Sequence, residues 1–279
     1  MIQLELRKQL RRTSYWVVLA ILVAVSVVVT LIIGLTSGST PERLGDYGSV
    51  VPNSSGLSMA LIALNALLLF LLPLAVAVFA GESVAGESSW GSLRYLLARP
   101  VSRWRLLASK VAVAGIYSLA AVVLVAVAGL VSGVAAFGWH PLAVIDLQHA
   151  SPFASGLSVF SPLQALARIG LVTAIVAGTM VSTFAFAILC STLTDRPFSA
   201  VAGAVFMVFV SRALDNIPGL HALGPWLPVT DKGTGLWTQV FSQPTSFSGY
   251  PHLAVVQTVY TVGFLALAWI WFDRKDILS

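Results

Sequence analysis

The sequence predicts an all-α polytopic membrane protein of six transmembrane helices with both termini in the cytoplasm, and three observations carry that prediction. The 279 residues are 57% hydrophobic and only 10% charged, and the mean hydropathy is +0.90, values outside the range of a soluble domain. Six apolar runs are long enough to cross a hydrocarbon core of about 30 Å. The basic residues then divide unequally between the two sides that six crossings define. Arg7, Lys8, Arg11, Arg12, Arg94, Arg99, Arg103, Arg105, Lys110, Arg196, Arg274 and Lys275 fall with the termini, against Arg43, Arg168, Arg212 and Lys232 opposite. Lys and Arg accumulate in cytoplasmic loops, so the termini are assigned to that side. The chain reads as a single transmembrane domain, 1 to 279, with no large aqueous part.

Residues 1 to 14 open with MIQLELRKQLRR, whose apolar Ile2, Leu4, Leu6 and Leu10 alternate with basic residues as in a short interfacial amphipathic helix. Tyr15 and Trp16 suit the interface at which a first span, 15 to 35, begins. That run exceeds a signal-peptide h-region and no small-residue cleavage pattern follows, so a cleaved leader is not expected. A Gly-, Ser- and Pro-rich loop leads to a second span, 57 to 79, interrupted by Asn65 and by Pro73, which removes a backbone donor and predicts a kink. The third span covers 111 to 137. Residues 138 to 164 form an external loop whose Trp139 and Phe153 suggest contact with the interface. The fourth and fifth spans, 169 to 193 and 198 to 217, are joined by a polar turn at Asp195 and Arg196, and the fifth loses its apolar character at Ser211 and Arg212. A second irregular external loop, 218 to 251, precedes the last span, 253 to 272.

The longest polar run between spans is 81 to 110, GESVAGESSWGSLRYLLARPVSRWRLLASK. Trp90, Leu93 and Leu97 recur at helical spacing with Arg94 on another face, which predicts an amphipathic helix from Ser88 to Ala98. Pro100 ends it by disfavouring helical geometry at Arg99. Ser102 is a candidate N-cap for a second helix that runs through Trp104 and Lys110 into the third span. Two readings stand on this pattern: a docking element that pushes on the spans it joins, and a basic helix lying on anionic headgroups.

Other features exclude classes of function. No Asp, Glu, Lys, Arg or His falls in the central part of a predicted span, which counts against an ion-coupled carrier. There is no G-x-x-x-x-G-K-S/T loop, no H-E-x-x-H and no G-x-S-x-G, and the single Cys190 permits neither an intrachain disulfide nor a multi-cysteine metal site. The chain is therefore expected to have no catalytic residues, no metal and no cofactor of its own, and no nucleic-acid partner. Gly129 and Gly133, and the stripe Gly170, Ala174, Gly178 and Ser182, allow close helix approach, with packing inside one subunit favoured over a dimer seam. Asn65 is a candidate substrate contact or an interhelical hydrogen-bonding group. Phe184, Phe186, Phe206, Met207 and Phe209 are candidates for an apolar pathway or for lipid contact.

Glu82, the run GESSWGSLRYLLARPVSR from Gly86 to Arg103, and Lys110 resemble the first cytoplasmic loop of ABC-2 type permeases, the membrane subunits of bacterial ABC exporters, most closely the branch linked to multi-copper enzyme maturation and multidrug export. Ser92 and Ser109 stand where that family usually has Thr and Gly. ELRK at Glu5 to Lys8 and FDRKD at Phe272 to Asp276 also resemble the ends of these permeases. The resemblance implies the type V, G-subfamily-like exporter fold in a bacterial inner membrane, and a permease dimer served by two cytoplasmic ATPase subunits that hold ATP and Mg. It makes Glu82, Glu87, Trp90, Gly91, Arg94, Arg99, Pro100 and Arg103 an ATPase-coupling element, and it admits a re-entrant element at 220 to 241. The implied cargo is amphiphilic, drug-like or lipid-like, exported by alternating access. A non-translocating scaffold or sensor that recruits an ATPase remains the alternative, with an ion-coupled carrier behind it.

Overall fold

The computed structural model describes residues 2–10, 12–36, 55–89, 103–145, 157–217, 219–220, 223–230, 236–241 and 249–274. The helices are α1 (Ile2–Leu10), α2 (Thr13–Thr36), α3 (Ser58–Leu68), α4 (Leu71–Ser89), α5 (Arg103–Phe137), α6 (Pro162–Thr179), α7 (Val181–Leu193), α8 (Pro197–Asn216) and α9 (Tyr250–Arg274), with a hairpin of β1 (Leu142–Ile145) and β2 (Leu157–Phe160). Six helical stretches are long and apolar enough to cross a membrane: α2, α4, α5, α6 with α7, α8 and α9. Val and Ile dominate α2 although they are only moderate helix formers. In hydrocarbon a backbone must satisfy its own polar groups, and a helix does so whatever the side chains.

Burial identifies the central element. Of the apolar window of α4, 72% is buried, against 22% for α2 and α8 and 17% for α9. Helix α4 is thus the post around which the others stand. Its end at Glu87 lies beside Lys8 of α1 and Lys110 of α5, Ser88 donates to Asp195 at the α7–α8 turn over 2.6 Å, and Arg103 donates to the Asp273 carbonyl near the end of α9. Both ends of the chain therefore gather at one end of the bundle, here the proximal end, as an even number of spans requires.

The elements depart from the sequence reading in three places. The second span is two helices, broken at Leu69 and Phe70, and α4 continues ten residues past the expected end, so that Ser88 and Ser89 belong to it. Pro73 explains the break: it offers no N–H to the Leu69 carbonyl and its ring crowds that oxygen. The described part of the third helix runs Arg103–Phe137, and the expected N-cap Ser102 lies outside the described residues. The first external loop contains the antiparallel hairpin, with Leu142 opposite Phe160 and Ile145 opposite Leu157. Leu142, Val144 and Phe160 are buried while Val159 faces out, as strand alternation dictates. The fourth span starts earlier, at a capping box in which Ser161 and Gln164 satisfy each other's backbone and Pro162 takes the first helical position.

Helix α5 has 35 residues, about 52 Å at 1.5 Å per residue, far more than a bilayer needs. Its distal third packs with α3, the hairpin and the start of α6 into a distal cap. Gly129 and Gly133 make that contact possible. A Cβ at Gly133 would lie 2.2 Å from the Gly56 carbonyl oxygen, and one at Gly129 would lie 2.9 Å from the Met59 carbonyl oxygen. Gly133→Leu is expected to force α3 and α5 apart and cost about 1–3 kcal/mol or more, read as a lowered unfolding midpoint in detergent.

The second small-residue stripe behaves differently. Gly170, Ala174 and Gly178 are exposed on α6, and a Cβ at either glycine would meet no atom within 4 Å. Packing within the chain, the favoured reading of both stripes, holds for Gly129 and Gly133 and not for these three.

Candidate functional site

The proximal polar cluster is built from the ends of α1, α4 and α5. Lys110 is fully buried and Glu87 is 2% exposed. An isolated charge in such a place is strongly disfavoured, so each must be paired. Lys110 Nζ pairs with Glu87 Oε2 and, at 3.2 Å, with Glu5 Oε1, and it donates to the Ser83 carbonyl at 3.2 Å. The other oxygen of Glu87 accepts from Lys8 Nζ. One turn away, Glu82 takes Arg12 at 3.8 Å and the Ser14 hydroxyl at 3.4 Å. The outcome is alternating charge, Lys8, Glu87, Lys110, Glu5, that clamps α1 across the two helices flanking residues 90 to 102.

Neutral contacts complete the fastening. Ser191 Oγ of α7 donates to the Gly81 carbonyl at 2.6 Å and accepts from the amides of Val84 and Ala85. Trp104 stacks on Trp269 of α9 with centroids 5.6 Å apart. Tyr15, Phe79 and Tyr117 pack their rings just inside the cluster, with Tyr15 and Phe79 stacked at 5.0 Å. Every element that reaches the proximal end is thus tied to α4 or α5 next to the loop. The arrangement suits mechanical transmission, since its charges are occupied in holding helices together.

Of the sequence-derived coupling residues, Glu82, Glu87 and Arg103 are brought together around the roots of the loop. Glu87 is inside the protein, and Arg103 is engaged with α9. Trp90, Gly91, Arg94, Arg99 and Pro100, and the amphipathic helix expected through them, lie outside the described residues. The candidate pathway residues separate. Asn65 lies in α3, before the break and in the distal cap, rather than in mid-span. Phe206 is 69% exposed on the outer face of α8, near Phe209, whose ring meets Phe70 of the broken span at 5.9 Å. Phe184 lines an apolar cleft between α5 and α7, whereas Phe186 packs edge-on against Phe264. Among the described residues no group of His, Cys, Asp and Glu could hold a metal ion.

Within 220 to 241 the described residues form two short 3-10 turns, Gly224–Trp226 and Leu236–Phe241. After the first of them the Pro228 carbonyl accepts from Ser182 Oγ and Gln257 Nε2, each at 2.9 Å. Gln257 lies about 10 Å along α9 from its distal start. Irregular backbone at that depth is tolerated only where protein groups satisfy it, and these two do so.

Sequence reasoning missed the Arg212 site. Its guanidinium, on a residue 8% exposed, donates to the carbonyls of Leu69 and of Leu68, the latter at 2.9 Å. Those are the acceptors that the break in the second span leaves open. The signal was present, because an arginine ending one apolar run and a proline interrupting another are complementary, but nothing in one sequence says that the two runs are neighbours.

No curated protein matches the chain. A sequence profile described as a protein of unknown function (DUF2705) matches residues 44 to 278, and the chain belongs to that family.

Proposed function

We propose that the chain is the transmembrane permease subunit of an ATP-driven ABC-2 type exporter, moving an amphiphilic cargo out of the cytoplasm or inner leaflet of a bacterial cell membrane. It supplies no ATPase site. Two cytoplasmic ATPase subunits carrying ATP and Mg would dock on residues 90 to 102, and a second permease subunit would complete the pathway. The observation that carries this reading is the proximal cluster: both roots of the loop that resembles a coupling element are locked to α1, to the α7–α8 turn and to α9. A push on that loop would move these helices together, which is the helix-shift type of switch. The face bearing Leu69, Phe70, Phe206 and Phe209 is apolar and open within one chain, and it supports the expectation of a second subunit there.

The test is reconstitution in nanodiscs with the candidate ATPase, comparing the native chain with Arg94→Glu/Arg99→Glu. Arg103 is left intact because it already serves α9. A folded double variant that loses ATPase binding and stimulation by about tenfold, equivalent to roughly 1.4 kcal/mol of docking energy, supports the coupling role. Unchanged assembly overturns it in favour of a headgroup-binding surface. Stimulated ATPase without ATP-dependent uptake into inside-out vesicles would favour the scaffold reading.

A further inference from the structure

We infer that the lateral groove between α6, α7 and α9 is a binding site for one acyl chain of a phospholipid in the leaflet at the distal face. The groove is a cleft of about 410 Å³ whose walls include Ile175, Gly178, Val181, Leu253, Ala254 and Val262. Both walls are spans, so the medium outside is hydrocarbon. The volume lies at the lower end of what small-molecule sites offer.

Position and chemistry select a chain. The groove runs from Tyr250 to Val262 on α9, about 18 Å of helix, close to the half-thickness of a hydrocarbon core of about 30 Å. At its upper end Tyr250 lies two residues before His252, which Trp226, 61% exposed, meets edge-on at 4.9 Å; Trp and Tyr are the ring types that anchor at an interface. At the other end of α9, Trp269 and Trp271 are also exposed. The rise from His252 to Trp271 is about 28 Å, so the two aromatic ends fit one bilayer. The headgroup would therefore sit beside Tyr250, with the chain pointing to mid-membrane.

The polar side chains in the groove are largely engaged already. Gln257 accepts from the Ser182 amide and donates to Pro228, and Thr258 donates to the Ala254 carbonyl. Thr261 Oγ1 has no hydrogen-bond partner, which alone is too little to recognise a polar molecule. Gly178 creates the recess, since a Cβ there would touch nothing within 4 Å. It also lines a second apolar cleft of about 350 Å³, with Gly115, Val122 and Phe184 on its walls.

The experiment uses the purified chain alone in nanodiscs of phosphatidylethanolamine and phosphatidylglycerol, doped with a phospholipid carrying a photoactivatable diazirine in mid-chain. Crosslinked peptides are mapped for the native chain, Gly178→Leu, Ala254→Leu and the control Gly170→Leu. Labelling of α6 and α9 is expected to fall about tenfold in the Gly178 and Ala254 variants, the effect of losing about two buried methylenes of contact, and to persist in Gly170→Leu. Ala254→Leu carries the test if Gly178→Leu does not fold. Native-level labelling in both groove variants overturns the inference. So does loss in Gly178→Leu and Gly170→Leu together with a change in oligomeric state, which would make the stripe a seam between copies. No ATPase is present, so failure here leaves the permease proposal untouched.

Discussion

Lys110→Ala is expected to destabilise the folded chain by about 3–5 kcal/mol, the loss that follows when one partner of a buried ion pair is removed and the other stays behind uncompensated. Glu87 is 2% exposed and would keep Lys8, whose side chain is 43% exposed, so the lower end of that range is expected. Glu5 and the Ser83 carbonyl would lose the same donor. Lys8→Ala should be far milder, about 1 kcal/mol or less, because its partner keeps Lys110 and its own charge is hydrated. The double variant Lys110→Met/Glu87→Leu should recover much of the loss, as apolar replacements of buried pairs often do. Denaturant titration in detergent micelles, followed by tryptophan fluorescence, reads all three. A Lys110→Ala loss of under about 1 kcal/mol, the size of a surface pair, would mean that the cluster does not hold α1, α4 and α5 together.

Arg212→Ala is the second large effect. It leaves the Leu68 and Leu69 carbonyls without their donor, at about 1–3 kcal/mol for the buried Leu68 acceptor and a further cost for a Leu69 carbonyl left unsatisfied beside hydrocarbon. Arg212→Lys should recover only part, since an ammonium on a flexible stem does not reproduce a planar fork that spans two adjacent carbonyls. Pro73→Ala in the Arg212→Ala background should restore stability, because an N–H at residue 73 can serve the Leu69 carbonyl within a continuous helix. If that rescue fails while the single Pro73→Ala variant is well folded, Pro73 is not what opens the second span.

Much of the frame was legible beforehand. The six apolar stretches were readable because a membrane core admits few backbone solutions, so hydropathy and length go far toward naming the element. Within the site, Glu82, Glu87, Arg103 and Lys110 were legible as one neighbourhood through their nearness in sequence to a single loop.

What the sequence could not reveal is which residues meet across distance. Glu5 and Lys8 looked like the polar face of an interfacial helix, yet they complete a buried cluster about 80 to 105 residues away along the chain. Gly129 and Gly178 sit in equally plausible small-residue patterns, and only the placement of α3 against the first, and of nothing against the second, separates a packing seam from a groove. The Leu69–Phe70 break was expected as a kink at Pro73, but that it could be stabilised depended on Arg212 arriving from another span. By itself, then, the sequence determined the six apolar stretches and the polar run between the second and third of them, since those follow from the local cost of placing each residue in hydrocarbon or water. Tertiary structure alone decided which charges are buried in pairs, which glycines are covered and where the second span breaks, because each of these depends on a partner supplied by a distant helix.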